Sequence, residues 1–270
     1  MRFSPSGMTS KRMIDVLAAD FGRIFVASML RDIRTRFGRS YLSYIVAIGW
    51  PLTHMLLMLG AYMLANRLAP LGDDPGIFIA TGIAPYIFCL YPARFTAMAV
   101  LQNKPLLQFP ILKPIYLIFS RAALEILSAC IVFSIFIGIL SLADMAIMPI
   151  DIYEAATAIA LTIYLGVSIG IFGVILCSLS PMIGILFVAF FILGLYMASG
   201  VFLPLSFYSE TTKEIMAYNP LFHVVGLLRS AYYNSYGFEN FSAFYVFFVA
   251  NIFLCLGLLA ERFLRGKIVV

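Results

Sequence analysis

The sequence predicts an all-α, polytopic membrane protein with six transmembrane helices, an N-terminal amphipathic interfacial helix and a re-entrant outer helix pair before the last span. Three observations carry this prediction. Hydrophobic residues make up 63% of the chain and charged residues 11%, with a mean hydropathy of +1.00, whereas a soluble domain has roughly 45–50% apolar and 25% charged residues. The apolar residues are gathered into six long stretches, each reaching the roughly 20 residues needed to cross a hydrocarbon core of about 30 Å, where helices satisfy their own backbone groups. The eighteen Lys and Arg residues are also distributed unevenly along the chain.

The N-terminal segment, 1–40, is polar and basic. It lacks the apolar core of a cleavable secretory signal, so the first span is expected to direct its own insertion. Within it, Ile14, Leu17, Phe21 and Phe25 recur at helical spacing while Arg12 and Arg23 project from the other side, the pattern of a helix lying along a membrane surface. The first span runs from Tyr41 to Ala65 and contains His54, expected to be a hydrogen-bonded packing residue. The second runs from Gly76 to Val100. The link from Leu101 to Lys113 places Pro105 and Pro110 around an apolar patch of Leu106, Leu107 and Phe109, a stiff turn whose exposed side chains call for cover by headgroups or a partner.

The third span, Pro114 to Leu140, carries Arg121 and Glu125 one helical turn apart, a spacing that allows an ion pair. Arg94 would share Glu125 if the second and third spans pack together. The fourth span, Tyr153 to Ser178, contains Gly166, Gly170 and Gly173, whose small size permits close helix approach. A tight turn leads into the fifth span, Pro181 to Leu203. The outer segment, 204–238, then holds a short helix from Ser209 to Tyr218, a break at Asn219 and Pro220, and an amphipathic stretch from Leu221 to Tyr233. At about 1.5 Å per residue that stretch reaches only about 20 Å and cannot cross, so a pair of short helices that dips in and returns is expected. His223 borders the break and is open to packing as well as to a gating or headgroup role. The last span runs from Phe241 to Ala260. The expected domains are the segment 1–40, a single transmembrane domain over 41–262 and a tail over 263–270.

Charge sets the orientation. Arg2, Lys11, Arg12, Arg23, Arg31, Arg34, Arg36 and Arg39 precede the first span; Arg94, Lys104, Lys113 and Arg121 flank the link; Arg262, Arg265 and Lys267 follow the last span. Arg67, Lys213 and Arg229 fall on the other side among eight acidic residues. Both termini are therefore expected in the cytoplasm. The net charge of +5 is accounted for by the membrane, and no nucleic-acid partner is expected. Arg31, Arg34, Arg36 and Arg39 at the inner mouth could attract a lipid phosphate or an anionic glycan, although topology signalling explains them equally well.

No phosphate-binding loop, dinucleotide turn, HExxH helix or CxxC pair occurs in the sequence. Neither a catalytic site nor a nucleotide site is expected on this chain, and any energy source lies elsewhere. Cys89, Cys130, Cys177 and Cys255 lack metal-type spacing and read as packing residues, so no metal site is expected. Phe, Tyr and Trp reach 15%. Those of the second span, Tyr86, Phe88, Tyr91 and Phe95, are candidates for lining a channel, since ring faces stack on sugars while phenol hydroxyls bond their hydroxyls.

Four motifs resemble the membrane subunit of the polysaccharide-export ABC transporters, in particular the capsule-export permeases. RDIRTRFGRSYLSYIVAIGWPL (Arg31 to Leu52) is similar to the family's entry into its first span, and TGIAPYIF (Thr81 to Phe88) to the Gly-x-x-Pro-Tyr motif of its second. NKPLLQFPILKP (Asn103 to Pro114) resembles the cytoplasmic link. SGVFLPLSFY followed by YNPLFHVVGLLRSAYY (Ser199 to Tyr233) resembles the outer gate segment. The resemblance implies a homodimer bound to two copies of a separate cytoplasmic ATPase, which holds ATP and Mg, so that this chain needs no cofactor. It assigns ATPase coupling to Asn103, Lys104, Leu106, Leu107, Phe109 and Pro110, and an outer gate to Tyr218, Asn219, Pro220 and Arg229, with His223 beside them. It further implies a lipid-linked capsular polysaccharide as substrate, a periplasmic adaptor or co-polymerase as partner, and the inner membrane of a Gram-negative bacterium. Export of O-antigen or another diphospholipid-linked glycan is the near alternative. A membrane-embedded enzyme acting on lipid-linked sugars would need paired carboxylates, for which Asp144, Asp151 and Glu154 are the loose candidates. An ion-coupled carrier would need an internal repeat and polar midplane residues, and the sequence shows neither.

Overall fold

The computed structural model describes residues 10–37, 41–64, 74–109, 112–145, 147–234, 236 and 241–268, with side chains described over 22–35, 45–64 and from 74 to 262 within those ranges. The side chains of Ile14, Leu17, Phe21 and Arg36 thus lie outside the described residues, as do Arg39, Pro110 and the tail side chains. Every regular element among the described residues is helical. Helix α1 is Ser10–Phe37, α2 is Tyr41–Leu64, α3 is Pro75–Ala97 and α4 is the single turn Ala99–Gln102, followed by a 3-10 turn at Lys104–Gln108. Then come α5 at Pro114–Leu142, α6 at Ile152–Leu179 and α7 at Pro181–Met197. A 3-10 turn at Leu205–Phe207 leads to α8 at Glu210–Met216, α9 at Pro220–Ser230 and α10 at Ala243–Ile268.

Local chemistry sets the starts of these helices. Helices α3, α5, α7 and α9 begin with Pro in the first turn, where the missing N–H removes a donor that would have had no intrahelical partner. Asp151 caps α6 by accepting from the Glu154 N–H at 2.9 Å, and Ser209 and Asn219 cap α8 and α9 in the same way.

Five helices are long and apolar enough to cross a membrane: Ile45–Leu64, Pro75–Ala97, Pro114–Leu142, Ile152–Leu179 and Ala243–Arg262. The predicted fifth span is shorter as a helix than the apolar run suggested. Helix α7 has 17 residues, a rise of about 26 Å. It stops at Met197 because the chain turns at Gly200, whose φ of 72° is a left-handed conformation that glycine adopts without a Cβ clash.

Helix α3 is the central element, buried along almost its whole length, and packs against α2, α5, α6, α7 and α9. Its approach to α6 depends on the small residues singled out in the sequence. A Cβ on Gly166 would sit 2.6 Å from the Cys89 carbonyl oxygen, one on Gly170 would sit 2.8 Å from Thr96 Cβ, and one on Gly173 would sit 2.7 Å from Ala97 Cβ. The three glycines thus line one contact and set the distance between the two helices. Helix α9 is buried between α3, α6, α7 and α10, while α8 is exposed over most of its surface.

Candidate functional site

The residues with functional potential form three groups: one at the 98–113 link, one in a groove between α2 and α3, and one at the α8–α9 elbow.

At the link, Leu107 is 7% exposed and packs with Val100, Leu117, Ile118, Ile171, Val174 and Ile175, so an apolar anchor fastens the turn to α5 and α6. The Asn103 side chain donates to the Ala99 carbonyl at 2.8 Å and accepts from the Arg31 guanidinium of α1. Lys104, Pro105 and Gln108 face outward, and Phe109 is 58% exposed. Of the six residues assigned to coupling, Lys104 and Phe109 therefore form surface, Leu106 is half-buried, Asn103 and Leu107 hold the turn in place, and Pro110 lies outside the described residues.

An ion-pair network lies behind this turn. The expected Arg121–Glu125 pair forms with Nε to Oε1 at 3.2 Å. It extends into α1 through Asp32, which lies 3.7 Å from Arg121 and 2.5 Å from Arg31. Asp32 and Glu125 are both buried, and two acids against two arginines leave the cluster close to neutral. Sequence reasoning passed over Asp32, and the available signal was a single acid inside a run of arginines from Arg31 to Arg39. Arg31 is thereby committed to the network, whereas Arg34 is exposed. The cluster borders a cavity of about 510 Å³ whose wall includes Thr35 and Phe95.

The second group occupies the α2–α3 groove. Tyr86, Tyr91 and Phe95 line a cavity of about 340 Å³ together with Trp50, Leu90 and Arg94. Above it, His54 joins Trp50 and Tyr86 in a further recess. Tyr86 stacks on Tyr196 of α7 with ring centroids 3.9 Å apart, and His54 Nε2 lies 3.3 Å from the Tyr196 hydroxyl. Phe88 is absent from this surface. It is 2% exposed and packs edge-on against Phe133 of α5 at 5.7 Å. The guanidinium of Arg94 lies 5.9 Å from the Phe95 centroid and forms no ion pair with Glu125. Arg121 approaches the same ring at 5.2 Å.

The third group holds the elbow together. Asn219 Nδ2 donates to the Leu195 carbonyl of α7 at 2.6 Å, in the last turn of that helix, where carbonyls lack intrahelical partners. The Asn219 Oδ1 accepts from the Leu221 N–H at 2.9 Å. His223 accepts from the Ser242 N–H through Nδ1 at 3.2 Å, which leaves Nε2 to donate to the Ala217 carbonyl at 2.7 Å. Its ring is thus fixed as a neutral tautomer, and burial lowers its pKa. Arg229 is 0% exposed. It donates to the carbonyls of Gly200 and Val201, each at 2.7 Å, and to the Tyr236 hydroxyl at 3.0 Å, and its guanidinium lies 4.0 Å from the Phe78 ring centroid. No carboxylate pairs with it among the described residues. Of the five residues assigned to the gate, only Tyr218 is openly exposed, at 80%; the others position α9.

Among the described residues, no cluster of His, Cys, Asp or Glu could hold a metal ion. Several membrane-length helices packed in one bundle define a polytopic helical membrane protein. No family model matches the chain. It is 30% identical over 238 residues to a polysialic acid transport protein, KpsM, of Escherichia coli, covering 87% of this chain and 91% of the relative. A second Escherichia coli protein of that name is 29% identical over 239 residues, with 87% and 91% covered. The chain belongs to this family of capsular polysaccharide export permeases.

Proposed function

We propose that two copies of this chain form the passage of an ATP-driven exporter, which moves a lipid-linked capsular polysaccharide across the bacterial inner membrane. ATP is hydrolysed by two copies of a separate cytoplasmic subunit. Membership of the capsule-export family supports this reading, as does the lack of any nucleotide-binding motif in the sequence. In the proposed topology α2, α3, α5, α6, α7 and α10 cross the membrane, with both termini cytoplasmic. Helix α7 crosses at the lower limit of spanning length, and α8–α9 form the outer re-entrant pair. The burial of α9 among four other helices favours this arrangement, because irregular backbone at membrane depth is tolerated where protein surrounds it.

The observation that carries the proposal is the construction of the link. Leu107 anchors it to the bundle, Asn103 ties it to α1, and Lys104, Pro105, Gln108 and Phe109 remain as an outward surface. A turn held from inside and bare outside can take a push from a partner and pass it on to α1 and α5. The test is Phe109→Ser. Because Phe109 lies outside the core, membrane insertion and yield should be unchanged, while the ATPase is lost from a pull-down and capsule export by a permease-deficient strain is no longer restored. Undiminished ATPase binding by the variant would refute the coupling role.

A further inference from the structure

We propose that the α2–α3 groove binds the anionic junction of the substrate, the phosphodiester at which the lipid anchor meets the first sugar, with Arg94 as the phosphate ligand. This rests on the export reading and names the part of the substrate that the groove would hold. Three observations on the groove converge. Arg94 is exposed, and its guanidinium rests over Phe95 at 5.9 Å, with no hydrogen bond or ion pair to any described residue. Arg121 on the same ring is held by Asp32 and Glu125. Arg94 thus offers its planar donor fork to a ligand oxygen pair, the geometry suited to phosphate.

About one helical turn from Arg94, Tyr91 begins a wall of rings that continues through Trp50 and Tyr86. Such ring faces stack on the apolar faces of a sugar and do not require charge. Val46 and Leu90 complete the groove with aliphatic surface, and Val46 is 67% exposed, which suits an acyl or isoprenoid chain. Arg94 thus has both rings and aliphatic side chains beside it in one groove, as a phosphodiester that carries a sugar on one side and a lipid chain on the other requires. A bulk phospholipid would satisfy the cation and the aliphatic wall but would leave the rings without a partner.

Trp50 is the only tryptophan of the chain, lines the groove and is 77% exposed, so its emission reports occupancy directly. The purified permease is titrated with a dodecyl phosphodiester of glucose, with dodecyl phosphate and with neutral dodecyl glucoside. The glucosyl phosphodiester should shift Trp50 emission saturably and bind roughly tenfold more tightly than either control, through a charge-assisted contact that the glucoside lacks and ring stacking that dodecyl phosphate lacks. Arg94→Gln should abolish the advantage over dodecyl glucoside. Equal binding of dodecyl phosphate would make the occupant an ordinary anionic lipid and overturn the proposal. An unaffected Arg94→Gln variant would overturn it too, as would a Trp50 signal that fails to respond because a second copy covers the groove. In cells, Arg94→Gln should keep its ATPase in a pull-down yet lose capsule export. Full export by the variant defeats this inference alone, whereas failure of the wild-type chain to restore export defeats the exporter reading as well.

Discussion

Replacing Arg229 with Met tests whether a buried cation fixes the path of the chain between α7 and α9. Methionine roughly preserves the length of the side chain but donates nothing. The carbonyls of Gly200 and Val201, each now 2.7 Å from a guanidinium nitrogen, would lose their donor, at about 1–3 kcal/mol apiece if no water enters. Loss of the cation over Phe78, now 4.0 Å from the ring centroid, adds about 1–2 kcal/mol. Against this, removing a charge that has no carboxylate partner among the described residues relieves part of its desolvation cost. The expected net loss is about 3 kcal/mol, which lowers the melting temperature by roughly 6–12 °C for a chain of this size. Thermal unfolding can be followed with a thiol-reactive dye in a background where the exposed Cys130 and Cys255 are replaced by Ser, so that the signal comes from buried Cys89 and Cys177. Arg229→Lys should fall between the two, because one ammonium cannot reproduce a fork that spans two carbonyls. A melting temperature for Arg229→Met within a degree or so of the parent would show that the carbonyls find other donors, and the positioning role would fail.

Two further substitutions probe the frame around the groove and the link. Gly166→Ala would drive a Cβ to 2.6 Å from the Cys89 carbonyl oxygen and 2.9 Å from Cys89 Cα. Backbone cannot swing aside, so a loss of about 1–3 kcal/mol and faster maleimide labelling of Cys89 are expected, while Gly138→Ala, with nothing within 4 Å of its new Cβ, should be harmless; equal labelling in both variants would count against the close-contact argument. Asp32→Ala removes the shared partner of Arg31 and Arg121 and should cost about 3 kcal/mol; in the proposed complex it should also leave ATP hydrolysis running while export falls, and full export at normal stability would remove Asp32 from the coupling route.

The apolar stretches were legible because hydropathy is a local property, and five of the six predicted spans correspond to helices of membrane length. The end of α7 was not legible. The sequence Met197 to Leu203 stays apolar except at Ser199, and the chain departs from helix there with Gly200 in the left-handed region and its carbonyl taken by an arginine 29 positions downstream. The ion pairs divide in the same way. Arg121 and Glu125 are one turn apart on a single helix, so their spacing alone suggested the contact, whereas Asp32 meets Arg121 only because α1 packs on α5. The four aromatics of the second span were grouped by sequence proximity, yet Phe88 turns toward α5 while Tyr86, Tyr91 and Phe95 face the groove. A helix that is apolar all round gives no phase from which to choose a face, and α3 is buried along nearly its full length.

The distribution of burial also bears on which parts of the bundle can shift. Helices α3 and α6 meet through glycines that leave no clearance for sliding, and α9 is enclosed and held at both ends by Asn219 and Arg229. Helix α2 is held more loosely. Trp50 is 77% exposed, Leu57 67% and Leu64 89%, and its partners are mainly α3 and α5. In sequence it follows α1 after residues 38–40, and α1 is the helix that Asn103 and Arg121 grip through Arg31 and Asp32. In the proposed exporter, a push on the link would therefore reach α2 through α1 before it could disturb the packed α3–α6 contact. The surface that would move is one wall of the groove containing Trp50, Tyr91 and Arg94, so widening that groove requires no break in the core. This is why Asp32→Ala, at the joint between link and α1, should separate hydrolysis from export more cleanly than a substitution at the α3–α6 contact.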